Sequence, residues 1–186
     1  MSMRVTFELS DKDVRHFHEC MEKARDAVRD AEEHEIIGAA RGLFEEIKGA
    51  RAPSFVKDRL HRLESMVAMI EDDQWNMPGE GRDRLLRALV YFCDPDDLIP
   101  DNIPGIGYLD DAIMIELVFR ELKHEIEAYD DFKTFCQSYN RRFKLGRDSV
   151  SRAKRIEAKR EHLLERIERR KQKDLESGGP SATQIF

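Results

Sequence analysis

From Val14 the apolar residues recur at helical spacing. Val14, Phe17, Met21, Ala24 and Val28 fall at steps of three and four, which places them on one stripe of an amphipathic helix. Glu19, Glu22, Asp26 and Asp30 occupy its other side. Ser10, three residues before Asp13, predicts the N-cap of this helix. Ile36, Ile37, Ala40, Leu43, Phe44 and Ile47 repeat the pattern up to Gly49. Pro53-Ser54 opens a third helix on Val56, Leu60, Leu63, Val67 and Ile70. Asp72-Asp73 closes it, because acidic side chains oppose the negative end of a helix dipole. A turn over 76–81 leads to a fourth helix with Leu85, Leu86, Leu89, Val90 and Phe92. That helix must end before Pro95, whose ring disfavours helical backbone at the preceding residue. One long helix is predicted from about Tyr108 to about Phe143, carrying Ile113, Leu117, Phe119, Ile126, Phe132 and Phe135. A last helix over 148–175 has a thin seam of Ala153, Ile156, Leu163 and Ile167, interrupted by Arg160. Ser177-Gly178-Gly179-Pro180 begins a flexible tail.

The pattern predicts an all-α protein: a bundle of about five helices, a Pro/Asp-rich connector between two of them, and a protruding basic C-terminal helix. Residues 1–147 form the bundle, 148–176 the basic helix and 177–186 the tail. Composition agrees. The 186 residues include only 10 Gly and 6 Pro, too few for a turn-rich β sandwich, and 38% are charged, against roughly 25% in an ordinary domain. No run approaches the ~20 mostly apolar residues of a membrane-spanning helix. The first residues lack the apolar core of a signal peptide. Cys20, Cys93 and Cys136 are far apart and form no Cys-x-x-Cys, which fits a reducing, cytoplasmic setting and buried apolar roles.

Charge adds a division that hydropathy does not show. Residues 1–140 hold 18 basic and 31 acidic residues, a net of -13, whereas 141–174 hold 14 basic and 6 acidic, a net of +8. Block asymmetry of this kind points to an anionic partner or to docking of the basic segment on an acidic body. Arg152, Lys154, Arg155, Lys159, Arg160, Arg166, Arg169 and Arg170 are the candidate contacts for an anionic partner. Acids are interleaved (Glu157, Glu161, Glu165, Glu168) and aromatic residues for base stacking are absent from 148–175. Nucleic acid is therefore placed behind a protein partner, self-association, or an anionic membrane surface.

Between the fourth and fifth predicted helices the chain reads Tyr91-Phe-Cys-Asp-Pro95-Asp-Asp97-Leu98-Ile99-Pro100-Asp101-Asn-Ile103-Pro104-Gly-Ile-Gly107-Tyr108-Leu109-Asp110-Asp111. Pro95, Pro100 and Pro104 fix φ and remove donors. Asp97 and Asp101 can accept bonds from turn amides. Gly107 opens backbone space closed to other residues. Asp110 and Asp111 suit the positive end of the following helix, and Leu98 and Ile99 supply apolar anchors. The segment resembles the YkvA-like family, a bacterial domain of unknown function (1232). That family's pattern is Pro-x-Asp-Leu-Ile-Pro-Asp-x-Ile-Pro-x-x-Gly-Tyr-Leu-Asp-Asp, and the wider resemblance spans about 84–121. Asp96 and Asn102 stand where the family is usually apolar, and Glu116, Arg120, Glu121 and Lys123 charge the next helix. The resemblance implies the backbone shape of the motif, and these charges turn the expectation from an embedded hairpin to a peripheral one.

The same aspartates allow a second reading. Hard divalent cations take several oxygen ligands, and Asp97, Asp101, Asp110 and Asp111 are the candidates, although their spacing fits no EF-hand loop. Asp13/His16, Asp58/His61 and Glu121/His124 each pair a carboxylate with an imidazole at i,i+3, but a di-iron bundle site needs two Glu-x-x-His pairs. The leading expectation is a non-enzymatic bacterial interaction or scaffold protein without a cofactor, cytoplasmic or peripheral on the inner membrane. The alternatives are a metal-dependent enzyme or ligand-binding protein using the connector aspartates, and nucleic-acid binding through the basic helix.

Overall fold

A computed structural model describes residues 8–27, 30–49, 54–94, 109–142 and 149–177. They form seven helices and no strand: α1 (Asp11–Ala27), α2 (Glu33–Gly49), α3 (Ser54–Glu71), α4 (Gly79–Phe92), α5 (Leu109–Glu121), α6 (Lys123–Arg142) and α7 (Ser149–Glu176). The all-α reading holds, and the count of about five is too low.

The local signals act as the sequence implies. At the start of α1, the Ser10 backbone N–H and hydroxyl donate to Asp13 Oδ2 at 2.8 and 2.7 Å, and Asp13 N donates back to Ser10 Oγ at 3.4 Å. This reciprocal box satisfies donors that a helix end leaves open. Asp72 ends α3 by accepting from the amides of Gln74 (2.9 Å) and Trp75 (3.1 Å). Asn76 then adopts φ 43°, a left-handed conformation that Asn tolerates better than most residues.

The core is built around α4 and α5. Leu85, Leu86, Ala88, Leu89, Val90, Tyr91 and Phe92 are all buried in α4, and the run from Asp110 to Val118 is buried in α5. A helix covered on every side, as α5 is over this run, must be central. α1 and α2 pack on α4, α3 packs on α5, and α2 also meets α3. α6 meets α3 and α5, and α7 lies along α6.

Two expectations are corrected. The single helix of 108–143 is two helices that meet at the fully buried Leu122. Leu122 N still donates to Val118 O and Ile126 N to Leu122 O, each at 2.9 Å, so helical bonds enter and leave the junction residue itself. On either side of it the packing differs: α5 is held by α3 and α4, while α6 lies along α7. The C-terminal helix does not protrude: Ile156, Leu163 and Ile167 are buried. Burying such side chains is worth ~1.5–3 kcal/mol each, against ~0.2–1 for an exposed ion pair, so this seam is the main anchor of α7.

Candidate interaction surface on the α6–α7 hairpin

α6 and α7 run antiparallel, and their charges are matched at one end. Lys171 Nζ lies 2.7 Å from Glu125 Oε1, Arg170 pairs with Glu127, and Arg166 Nη1 lies 2.7 Å from Asp131 Oδ2. A reversed rung follows, with Lys123 Nζ and His124 Nε2 at 2.6 and 2.9 Å from Asp174 Oδ2. These two partners hold the Asp174 carboxyl below its ordinary range, Lys123 first.

Farther along, Arg160 explains the break in the apolar seam. It bonds the Trp75 carbonyl, donates to Asn76 O at 2.9 Å, and pairs with Glu157 at 3.0 Å. The bonded carbonyls belong to the turn between α3 and α4. Beneath it the Trp75 ring packs against Phe132 and Tyr129, with centroids 5.3 and 5.7 Å apart. Tyr129 donates to Asp72 Oδ2 at 3.1 Å. Burial first, and then the Asp72 charge, push its hydroxyl well above the usual range.

The eight cations expected to meet an anionic partner therefore divide. Arg166 and Arg170 are paired with α6, Arg160 holds the α3–α4 turn, and Arg169 reaches the carbonyl of Glu165 at 3.4 Å. Lys159 lies 5.8 Å above the ring of Phe135. Arg152, Lys154 and Arg155 are exposed and form no ion pair with another described residue. The cause is visible in α6. Its acids stop at Asp131, and residues 132–147 contain none. Sequence reasoning missed Glu125, Glu127 and Asp131 as partners of α7, and Asp174 as a partner of α6, because only the antiparallel register brings these residues together.

The other candidates separate. Pro95, Asp97, Leu98, Ile99, Pro100, Asp101, Pro104, Gly107 and Tyr108 lie outside the described residues. Asp110 and Asp111 occupy the first turn of α5 as expected and are buried. The Asp111 charge adds to burial in pushing the Cys93 thiol up to about 11, so this cysteine stays a neutral thiol. Among the described residues no group of three His, Cys, Asp or Glu converges as for a metal ion. Glu121 and His124 diverge: His124 turns to Asp174, and Glu121 Oε1 meets His18 Nε2 at 2.9 Å. A groove of about 490 Å³ lies there, lined by His18, Glu22, Asp83, Arg84, Arg87 and Glu121. Its charges satisfy one another. Arg87 bridges Glu22 (3.1 Å) and Asp83 (2.7 Å), and Arg84 Nε stands 3.5 Å from Glu121. Asp13 is engaged with Ser10, and His61 with Glu64 at 3.2 Å.

On the inner side of α5, Glu116 collects Arg62 at 2.7 Å, Arg120 at 3.3 Å and Arg59 at 3.8 Å. Arg62 also covers the Phe119 ring at 4.6 Å. This cluster ties α3 to α5.

Residues 85–117 match the family model described as a protein of unknown function, DUF1232. The chain is also 37% identical over 49 residues to the uncharacterized membrane protein YkvA of Bacillus subtilis (strain 168). That match takes in 26% of this chain and 46% of the relative, so the chain spans less than half of the protein it resembles. No solved structure matches with significance. No helix among the described residues is long and apolar enough to cross a membrane. The chain thus carries a segment similar to the YkvA-like DUF1232 family, which takes in the last eight residues of α4 and the first nine of α5.

Proposed function

We propose that this is a non-enzymatic interaction protein acting peripherally at the cytoplasmic face of a membrane, with the bundle as a rigid support and the α6–α7 hairpin as the contact. The observation that carries this reading is the unequal neutralisation of α7. Its C-terminal cations are matched by Glu125, Glu127 and Asp131, while Arg152, Lys154 and Arg155 lie in the first two turns of α7 and are exposed, without an ion pair to another described residue. Solvated cations crowded at one end of a helix repel one another, and an anionic partner relieves that repulsion. The imidazoles of His18, His61 and His124 are occupied by carboxylates, which favours a structural over a catalytic use of them. The relative's description as a membrane protein supports the location.

The test is cell fractionation of the full chain beside the triple variant Arg152→Ser, Lys154→Ser, Arg155→Ser. The native chain is expected in the membrane pellet and released by salt, and the variant in the supernatant. Equal distribution of the two would refute the reading.

A further inference from the structure

We infer that the unneutralised end of the α6–α7 hairpin docks directly on an anionic phospholipid bilayer, with Arg152, Lys154 and Arg155 at the headgroups and Val150 entering the layer beneath them. This rests on the interaction reading above and names its partner.

Three observations converge on this end of the hairpin. The first is charge. From Val150 to Arg160, α7 carries Arg152, Lys154, Arg155, Lys159 and Arg160 against one acid, Glu157, a net of +4. Glu157 is engaged by Arg160, so it does not cancel the exposed group. The second is the placement of the cations on α7. The helix has no acid in its first turn, and Arg152, Lys154 and Arg155 sit in its first two turns. Cations there oppose the positive end of the dipole. Helix stability alone would select the reverse arrangement, and an anionic surface offsets the cost.

The third observation distinguishes a bilayer from other polyanions. Val150 is 60% exposed, one of two large apolar side chains so exposed among the described residues. It shares a helix face with Lys154, one turn on. An aliphatic side chain beside lysine and arginine matches a surface with charged headgroups above an apolar layer. A phosphodiester backbone offers that side chain nothing. α7 also contains no Phe, Tyr or Trp, the residues on which single-stranded bases stack.

The experiment is co-sedimentation of the full chain with vesicles of phosphatidylcholine alone and with about 30% phosphatidylglycerol added, at low and high salt. Binding is expected only to the anionic vesicles and should be lost at high salt. The triple Ser variant at 152, 154 and 155 should bind at least about tenfold more weakly. Val150→Ser should weaken binding by about threefold without changing its salt dependence. A control of equal charge change on α1, Lys12→Ser, Arg15→Ser, Lys23→Ser, should stay within about twofold of the native chain. Fluorescence of the single, fully buried Trp75 confirms that each variant is folded.

The proposal is overturned if neutral and anionic vesicles bind alike, if the α1 control loses as much as the α7 variant, or if a DNA or RNA duplex binds more tightly than the anionic vesicles. If vesicles fail while native membranes still retain the chain through Arg152, Lys154 and Arg155, the lipid proposal falls and the interaction reading stands with a protein partner. If native membranes also fail, both fall.

Discussion

Arg160 of α7 reaches across to the backbone carbonyls of Trp75 and Asn76 and holds the turn that ends α3. A charged donor on two carbonyls makes the seating of α7 and the shape of that turn interdependent. Arg160→Ala leaves both acceptors without this partner and should cost about 1–3 kcal/mol, with a red shift of Trp75 emission. Lysine cannot reproduce the forked geometry, so Arg160→Lys should recover less than half of the loss. Urea unfolding followed by fluorescence measures both. A native-like midpoint for the alanine variant would refute the coupling.

Stability should depend on pH through the contact between α1 and α5. His18 is bonded to Glu121, and that bond, aided by the Glu121 charge, raises its pKa above the ordinary imidazole value against the opposing effect of burial. Arg84 opposes the shift and Glu22 favours it. A group whose pKa is higher in the folded state contributes fully below its unfolded value, ~6.5, and loses that contribution as pH rises through the folded one. Melting temperature should therefore fall as pH is raised above about 6.5. The His18 side chain is 39% exposed, so solvent screening keeps the amplitude small. His18→Gln should flatten that slope, and an unchanged slope would sink the assignment.

The anchor at the other end of the hairpin is more costly to disturb. Glu125 is only 3% exposed, and Lys171 is its ion-pair partner. Lys171→Met strands a buried carboxylate and should cost about 3 kcal/mol. Adding Glu125→Met removes the stranded charge, and the double variant should return to within about 1 kcal/mol of the native chain. Additive losses in chemical denaturation would show that the pair does not act as a unit.

Two positions should yield stability. A Cβ at Gly38 or Gly42 in α2 meets no atom within 4 Å, and both lie inside the helix. Gly→Ala at each should gain about 0.5–1 kcal/mol from helix propensity. Thermal melts of the single and double variants test the gain and its additivity.

The sequence made the helices legible where one stripe faced one core. The Ser10/Asp13 cap, the stripes of α1 to α3 and the stop at Asp72 are local, and local rules read them. The break at Leu122 was not legible, because no Gly or Pro marks it and an apolar residue there fits the helical stripe. Arg160 looked like a flaw in the apolar seam because its partners are carbonyls eighty-four and eighty-five residues away. The basic character of α7 was readable. Its division into a neutralised and an unneutralised half was not, since that depends on which residues of α6 lie opposite. The connector motif identified its segment from side chains alone, and the family model at 85–117 agrees.

The charge pattern along α6 and α7 also gives the molecule a direction. With paired charges at one end of the hairpin and surplus cations at the other, the hairpin is an electric dipole laid along a rigid rod. Near an anionic surface such a dipole experiences a torque before any atom touches, over a range of ~10 Å at ordinary salt. The protein would arrive already turned, with the open end of the hairpin leading.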